Sequence, residues 1–332
     1  MMQSRLKTSS QAGLINEAAV VQLPIRLSRL EAIKFKETCD QLIQQPYCPK
    51  LIIADLSQTD FIDSSGIGAL VRNHKITQEN GISLILRGIN PPVMAVLVMT
   101  GLDRKLILDP SYHPTTIAVN WSKAQLPTTH PSTGSWAKRC LDILGGIVGL
   151  GITAILFIPI AIAIKLDSPG PIFFSQIRCG WMGKGFRIWK FRSMYTDAEA
   201  QKDSVQNQSK DAKIFKNEND PRITRVGQFL RKTSLDELPQ FWNVIKGEMS
   251  LVGTRPPVPK EVDIYEVPEW QRLNVKPGMT GEWQVHGRSQ VRDFADIIKL
   301  DLRYQRNWSL MYDLKIIVKT IFILFSKNNG AV

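Results

Sequence analysis

Histidine and cysteine are scarce in this chain of 332 residues, with four of each. Cys39, Cys48, Cys140 and Cys179 are scattered, and none forms a Cys-x-x-Cys pair. His74, His113, His130 and His286 do not complete a zinc set. This leaves reduced thiols and a chain facing the cytoplasm, with no disulfide framework. The first ten residues lack an apolar core, so no secretory signal is expected to open the sequence. Acidic residues are outnumbered, 30 against 42 Lys and Arg, for a net charge of +12. Such an excess asks for an anionic partner: nucleic acid, anionic lipid or a phosphorylated substrate. No nucleic-acid motif is present, and the charge concentrates in the half that carries a long apolar run, so nucleic acid is disfavoured. What is present is a globular composition, 43% apolar and 22% charged, long enough for two domains.

Residues from about 14 to 108 alternate strand and helix signals. Val20–Pro24 reads as a short strand and Glu31–Gln45 as an amphipathic helix. The apolar run Leu51–Leu56 reads as a buried parallel strand. Asp63-Ser64-Ser65-Gly66 opens a helix to about Glu79, and Gly81 ends it. Ile82–Leu86 is the next strand, and Pro91 or Pro92 starts a helix that Gly101 stops. Lys105–Leu108 closes the series, and the pattern is that of an α/β layer structure. The stretch DLSQTDFIDSSGIGALV (Asp55–Val71) resembles the STAS domain of anti-sigma-factor antagonists and sulfate-transporter tails. That resemblance covers nearly all of 14–108. It implies that Ser64 or Ser65, with Ser65 the closer match, accepts phosphate from a partner kinase. The alternative is that Asp63 and Ser64 simply cap the helix. No catalytic constellation occurs in this third. The expectation is a regulatory or assembly module for a signalling partner, and STAS pairing could make a homodimer.

Residues 109–135 are rich in Pro, Thr and Ser and read as a stiff linker, with Ile117-Ala118-Val119 as an added edge strand. Ile143–Ile164 then gives 22 residues without a charge, enough as a helix to cross a bilayer core of roughly 30 Å. Lys138 and Arg139 precede it, Lys165 follows it, and Asp142 lies one turn inside. Cations at both ends fit poorly with a single crossing. Pro159 interrupts the run, and a mid-helix proline costs about 3 kcal/mol unless a kink is wanted. A re-entrant helix over about 138–166, broken at Pro159, would enter one leaflet of the membrane and keep both ends in the cytoplasm. The alternative is a buried core helix.

The remaining half is organised around Arg231-Lys232-Thr233-Ser234-Leu235-Asp236-Glu237-Leu238-Pro239-Gln240. Ser234 or Thr233 reads as a cap that places Asp236 and Glu237 in the first turn of a helix, where exposed N–H groups favour anions. Cations gather around this stretch in the sequence: Lys190, Arg192, Arg222 and Arg225 before it, and Arg255, Lys276 and Arg288 after it. Gly180, Gly183 and Gly185 mark a hairpin, and alternation along Phe186–Arg192 puts Lys190 and Arg192 on one face. Leu300–Phe325 mixes apolar, aromatic and cationic residues as a membrane-surface helix does.

Six motifs carry a second resemblance: SPGPIFFSQ (168–176), KFRSM (190–194), DPRITRVG (220–227), LRKTSLDELPQFWNVIKGEMSLVGTRP (230–256), KPGMTGEWQVHGR (276–288) and NWSLMYDLKIIVKT (307–320). Over 136 to about 328 the sequence is similar to the bacterial sugar transferases, the monotopic phosphoglycosyl transferases. The fold class expected is therefore α/β: a STAS-like α/β domain, then an α+β monotopic membrane domain with a re-entrant helix and amphipathic surface helices. The resemblance implies transfer of a sugar phosphate from a UDP-sugar to a polyprenyl phosphate, undecaprenyl phosphate by expectation, at the cytoplasmic face of a bacterial inner membrane. By the motif match Asp236 is the nucleophile, and Glu237 positions the metal or activates the acceptor. Mg²⁺ is the implied cofactor, held by Asp236 and Glu237. Lys190, Arg192, Arg222, Thr224, Arg231, Arg255 and Arg288 are the candidate phosphate or nucleotide contacts. Three departures stand out. A STAS-like domain replaces the multi-span domain of larger members. Ile158-Pro159 replaces a Ser-Pro kink, and Thr254 precedes Arg255 where proline is usual. The competing reading is a non-catalytic membrane scaffold whose STAS part binds signalling partners.

Overall fold

The computed structural model describes residues 12–15, 18–109, 126–201, 205–208, 217, 219–286 and 293–325. They form two compact units: residues up to Thr129 together with Tyr265–Asn274, and His130–Ile264 together with Val275 onward.

The first unit is an α/β layer. Its sheet has the order β1 (Ala12–Ile15), β2 (Ala18–Gln22), β4 (Leu51–Asp55), β6 (Ser83–Arg87) and β7 (Ile107–Leu108). Only β1 runs antiparallel to its neighbour. A small parallel pair joins β3 (Arg26–Leu27) to β5 (Phe61–Ile62). Helices α1 (Arg29–Ile43), α2 (Ser64–Glu79) and α3 (Pro91–Thr100) complete it. The expected buried strand Leu51–Leu56 is buried on alternate residues, Ile52 and Ala54, while Leu51, Ile53 and Asp55 are half-buried. Its two faces therefore differ, although the run is apolar. Asp63 caps α2 as its position suggested: its carboxylate accepts the Gly66 N–H at 3.0 Å. Gly101 ends α3 in the left-handed conformation, φ 73°.

Tyr265–Asn274, which lies between two of the transferase motifs, packs within this first unit. A Cβ on Gly68 of α2 would lie 2.4 Å from the Trp270 ring, so only glycine lets the two meet. Asn274 Oδ1 accepts the Ser64 N–H at 2.9 Å, and buried Arg272 donates to the Tyr265 hydroxyl at 2.7 Å. Ser64 and Ser65 are fully buried, and neither hydroxyl has a hydrogen-bond partner among the described residues. A kinase could reach either one only after this packing opens. Ile117-Ala118-Val119 lies outside the described residues.

The second unit begins at His130, whose Nε2 lies 2.8 Å from the Gln305 carbonyl, and at the short α4 (Pro131–Gly134). The last residues of the expected linker are therefore ordered structure. Helix α5 (Trp136–Asp167) follows, with Ser135 as its cap. Lys138, Asp142, Gly146, Gly149, Thr153, Ile160 and Ile164 are buried at helical spacing. Leu144, Ile147, Val148, Ile155, Ile158, Ile162 and Leu166 are exposed. One stripe is thus covered by the unit along nearly the whole helix, and the other face is apolar and bare.

Pro159 lies inside α5, which is helical from Trp136 to Asp167. Proline removes one N–H donor, the one for the Ile155 carbonyl. The flanking turns are pinned to the body through Thr153, which bonds to the Leu238 carbonyl at 3.3 Å, and through Ile160 in an apolar cluster with Phe191 and Leu230. The leading cations are not free markers of a membrane face. Lys138 is buried against Asp313, and Arg139 donates to the Val244 and Ile245 carbonyls.

The rest of the unit is a β8 (Phe173–Cys179)–β9 (Gly185–Phe191) hairpin, α6 (Arg225–Lys232), a 3-10 helix Leu235–Gln240 and α7 (Phe241–Lys246). β10 (Ser250–Val252) pairs in parallel with β11 (Gly278–Thr280). Between and after them come α8 (Pro259–Val262), α9 (Glu282–Val285), α10 (Phe294–Asn307) and α11 (Leu310–Phe325). Gly149 presses α5 onto α7: a Cβ there would sit 2.3 Å from the Phe241 ring.

Candidate active site

The two carboxylates sit where three short elements meet. α6 ends at Lys232, Thr233 is its C-cap, and Ser234 turns the chain in the left-handed region at φ 58°. A non-glycine residue there is uncommon and marks a turn that its surroundings must hold. The 3-10 helix then starts, with Asp236 and Glu237 in its first turn. Carboxylates in a first turn were expected, but the helix is 3-10, and Ser234 makes no side-chain cap. The hairpin supplies the cation. Lys190, on β9 opposite Phe174, reaches Glu237 Oε1 at 2.8 Å and Asp236 Oδ2 at 3.7 Å. Asp236 is buried, while the Lys190 and Glu237 side chains keep 25% and 20% of their surface.

The other expected contacts divide. Arg255 pairs with Glu261 at 3.0 Å and stays partly exposed. Arg231 is half-buried on the last turn of α6, one turn before the carboxylates. Thr254 bridges Pro277 and accepts the Gly278 N–H at 2.9 Å, so the residue in place of proline leaves this loop tied down. Arg192 is corrected: it is buried and donates to the carbonyls of Ser168 at 2.6 Å and Pro169 at 3.0 Å. Those carbonyls lie at the end of α5, so its charge closes a helix C-terminus. Arg222 is corrected as well. It is buried and grips Asp220 with two bonds, at 2.9 and 2.7 Å, and the Ala198 carbonyl at 3.2 Å. Thr224 caps α6, its hydroxyl accepting the Gly227 N–H at 3.0 Å. Arg288 lies outside the described residues.

Arg178 was missed by sequence reasoning. It sits on β8 on the same face as the Lys190 cross-strand partner Phe174, four residues along. It donates to the Pro256 carbonyl at 3.0 Å, next to Arg255, and its Nε is buried without a partner among the described residues. Burial, with Arg255 close by, pulls its guanidinium down to about 10. The alternation of the strand was the signal that could have found it.

Beside the carboxylates runs an apolar groove of about 430 Å³. Gly149 and Ile152 of α5, Leu238, Met279 and Ile321 of α11 line it, with Ser234 and Glu237 at its polar margin. Val148 and Ile152 of α5, and Ile321 and Leu324 of α11, line it while remaining exposed, so it opens between two bare apolar faces.

Among the described residues no three His, Cys, Asp or Glu side chains gather as a metal set. Asp236 and Glu237 nevertheless suit Mg²⁺, which takes hard oxygen donors and commonly uses one or two carboxylates plus substrate phosphates. Such an ion would share them with Lys190.

Residues 133–327 match the bacterial sugar transferase family, and residues 11–115 match the STAS domain. The chain belongs to the bacterial sugar transferases. It is 50% identical over 192 residues to the galactosyl transferase CpsE of Streptococcus agalactiae, covering 57% of this chain and 42% of that one. To the exopolysaccharide production protein ExoY of Rhizobium meliloti it is 40% identical, covering 57% of this chain and 85% of that one. To the UDP-glucose:undecaprenyl-phosphate glucose-1-phosphate transferase of Escherichia coli it is 42% identical, covering 56% and 39%. The chain thus spans about two fifths of CpsE and of the Escherichia coli enzyme, and most of ExoY. Among solved structures, the anti-sigma factor antagonist SpoIIAA in its unphosphorylated form aligns with 30% of this chain and 88% of its own, at 19% identity and a TM-score of 0.27.

Proposed function

We propose that this chain transfers a sugar phosphate from a UDP-sugar to a polyprenyl phosphate, undecaprenyl phosphate in bacteria, and so starts a surface glycan or exopolysaccharide. The observation that carries this reading is a lysine-held carboxylate pair at the margin of an apolar groove. A phosphate on a lipid needs both halves: polar chemistry for the head and a dry channel for the chain. In the first step an Asp236 oxygen attacks the sugar-bearing phosphorus. The bond to the bridging oxygen breaks, and UMP leaves with that oxygen. In the second, a phosphate oxygen of the polyprenyl phosphate attacks the same phosphorus and the Asp236 carboxylate departs, leaving a polyprenyl-diphosphate sugar. Splitting one hard displacement into two is what a carboxylate nucleophile offers. Lys190, Arg231 and Arg255 offset the charge of the diphosphate. Mg²⁺, held at Asp236 and Glu237, would supply further charge neutralisation when bound.

The placement of α5 supports a one-leaflet position. Lys138 and Asp142 at one end, and Ile164 and Ser168 at the other, are all fastened to the same unit. We propose that α5 dips into the membrane from the cytoplasmic face without crossing it. The STAS domain would serve as a regulatory or docking module for a signalling partner, and its pairing would make a homodimer. Release of UMP from a panel of UDP-sugars, with polyprenyl phosphate and Mg²⁺, tests the activity. Radiolabelled sugar phosphate that stays on the protein without acceptor, and leaves on its addition, tests the covalent step. A chain that releases no UMP from any donor would be a scaffold.

A further inference from the structure

A second cavity, of about 400 Å³, shares Val285 with the groove. Its rim is basic: Arg303 of α10, Lys315 and Lys319 of α11, and His286 just after α9. Its one acid, Glu282, is buried and already engaged. Arg303 Nε binds Glu282 Oε1 at 2.6 Å, and the Tyr312 hydroxyl donates to Oε2 at 2.7 Å. Burial, with that bond to Glu282, pushes the Tyr312 hydroxyl up to about 12, so it stays a donor. Lys319 Nζ lies 3.1 Å from His286 Nε2, and among the described residues Lys315 makes no hydrogen bond or ion pair. The cavity therefore holds more positive charge than its own acid can balance.

The position of the two lysines says what kind of anion fits. On α11, Met311, Leu314, Val318 and Phe322 recur at spacings of three or four, and all are exposed. Lys315 and Lys319 follow one position on, along the flank of that stripe, and face the cavity. Cations bordering an exposed apolar face are arranged for a bilayer boundary, with stems along the chains and ammonium groups at headgroup height. We infer that this cavity binds the phosphate headgroup of an anionic membrane phospholipid whose acyl chains lie along α11. The site is separate from the carboxylate pair. It rests on the membrane-surface reading of the second unit and not on the reaction proposed above.

The test uses the whole chain in mixed micelles with equal phosphatidylglycerol and phosphatidylcholine, read by native mass spectrometry. The expected result is retention of phosphatidylglycerol over phosphatidylcholine. A basic residue near an anionic surface is worth about fivefold in affinity, so Lys315→Gln with Lys319→Gln should cut the preference about 25-fold. Lys299→Gln, an exposed lysine on α10 that does not line the cavity and pairs with Asp296, should leave it unchanged. Equal retention of both lipids, or equal loss in the Lys299→Gln chain, overturns the proposal. So does displacement of the lipid by millimolar glycerol phosphate, which would make the site one for a soluble anion. UMP release from the same micelles reports the reaction separately, so a failed lipid preference and a failed transferase reading remain distinguishable.

Discussion

Two lysine–carboxylate clusters of the second unit, around Lys138 and around Lys190, are placed in contrasting surroundings. Around Lys138 every group is matched. Its ammonium binds Asp313 at 2.6 Å and the Val252 carbonyl at 3.1 Å. The other Asp313 oxygen accepts the Tyr304 hydroxyl at 2.9 Å, and Trp308 adds a bond at 3.2 Å. Burial drives the Tyr304 hydroxyl well above its ordinary range, so it remains a donor to Asp313. Around Lys190 one ammonium serves two carboxylates, at 2.8 and 3.7 Å, beside an open groove. A saturated, dry pair holds elements together, since removing one partner strands a buried charge. The second pair, by contrast, lies at a groove margin and is not sealed in the interior.

Substitution should separate the two clusters. Asp236→Asn is expected to lower UMP release by at least about a thousandfold, as for loss of a covalent nucleophile, with the circular dichroism spectrum unchanged. If the variant keeps activity, the carboxylate pair is not the reacting centre. Asp313→Asn should do the reverse, lowering stability by about 3–5 kcal/mol in chemical denaturation. Gly149→Leu, which drives a side chain into the Phe241 ring, should cost about 1–3 kcal/mol and weaken the contact between α5 and α7. A variant as stable as the parent would mean that this close approach is not required. The smallest effect concerns acid stability. Asp220 is held below its ordinary carboxylate value of 3.8 chiefly by its bonds to Arg222. Its contribution is full above 3.8 and is lost as the pH falls through the lower folded value. Burial raises Asp63, so its contribution is full below 3.8 and is lost as the pH rises through the raised folded value. Melting curves between about pH 3 and 6 should therefore shift in opposite senses in Asp220→Asn and Asp63→Asn.

Local chemistry explains which parts were legible. Asp63 before Gly66, Pro91 before an apolar run and Gly101 after it are signals read within a few residues, and the helices of the first unit begin and end where those residues ask. The burial of β4 on alternate residues was not legible, because its apolar run looks alike on both faces. In the second unit, the carboxylate pair and Lys190 were found through the motifs and their spacing. Arg192 and Arg222 were read as substrate contacts for the same reason, yet each is spent on a neighbour: the end of α5 and Asp220. An arginine looks the same in a sequence whether its fork meets a phosphate or a protein carbonyl.

The order of residues alone settled the two-part architecture and the presence of a long apolar helix, since each depends on short-range patterning or a contiguous motif. Only the folded chain decided that Lys190 holds Asp236 and Glu237, that Lys138 is sealed against Asp313, and that Tyr265–Asn274 packs within the first unit. Those outcomes turn on groups tens to hundreds of residues apart. Their pairing is chosen by which partners remain once water is excluded.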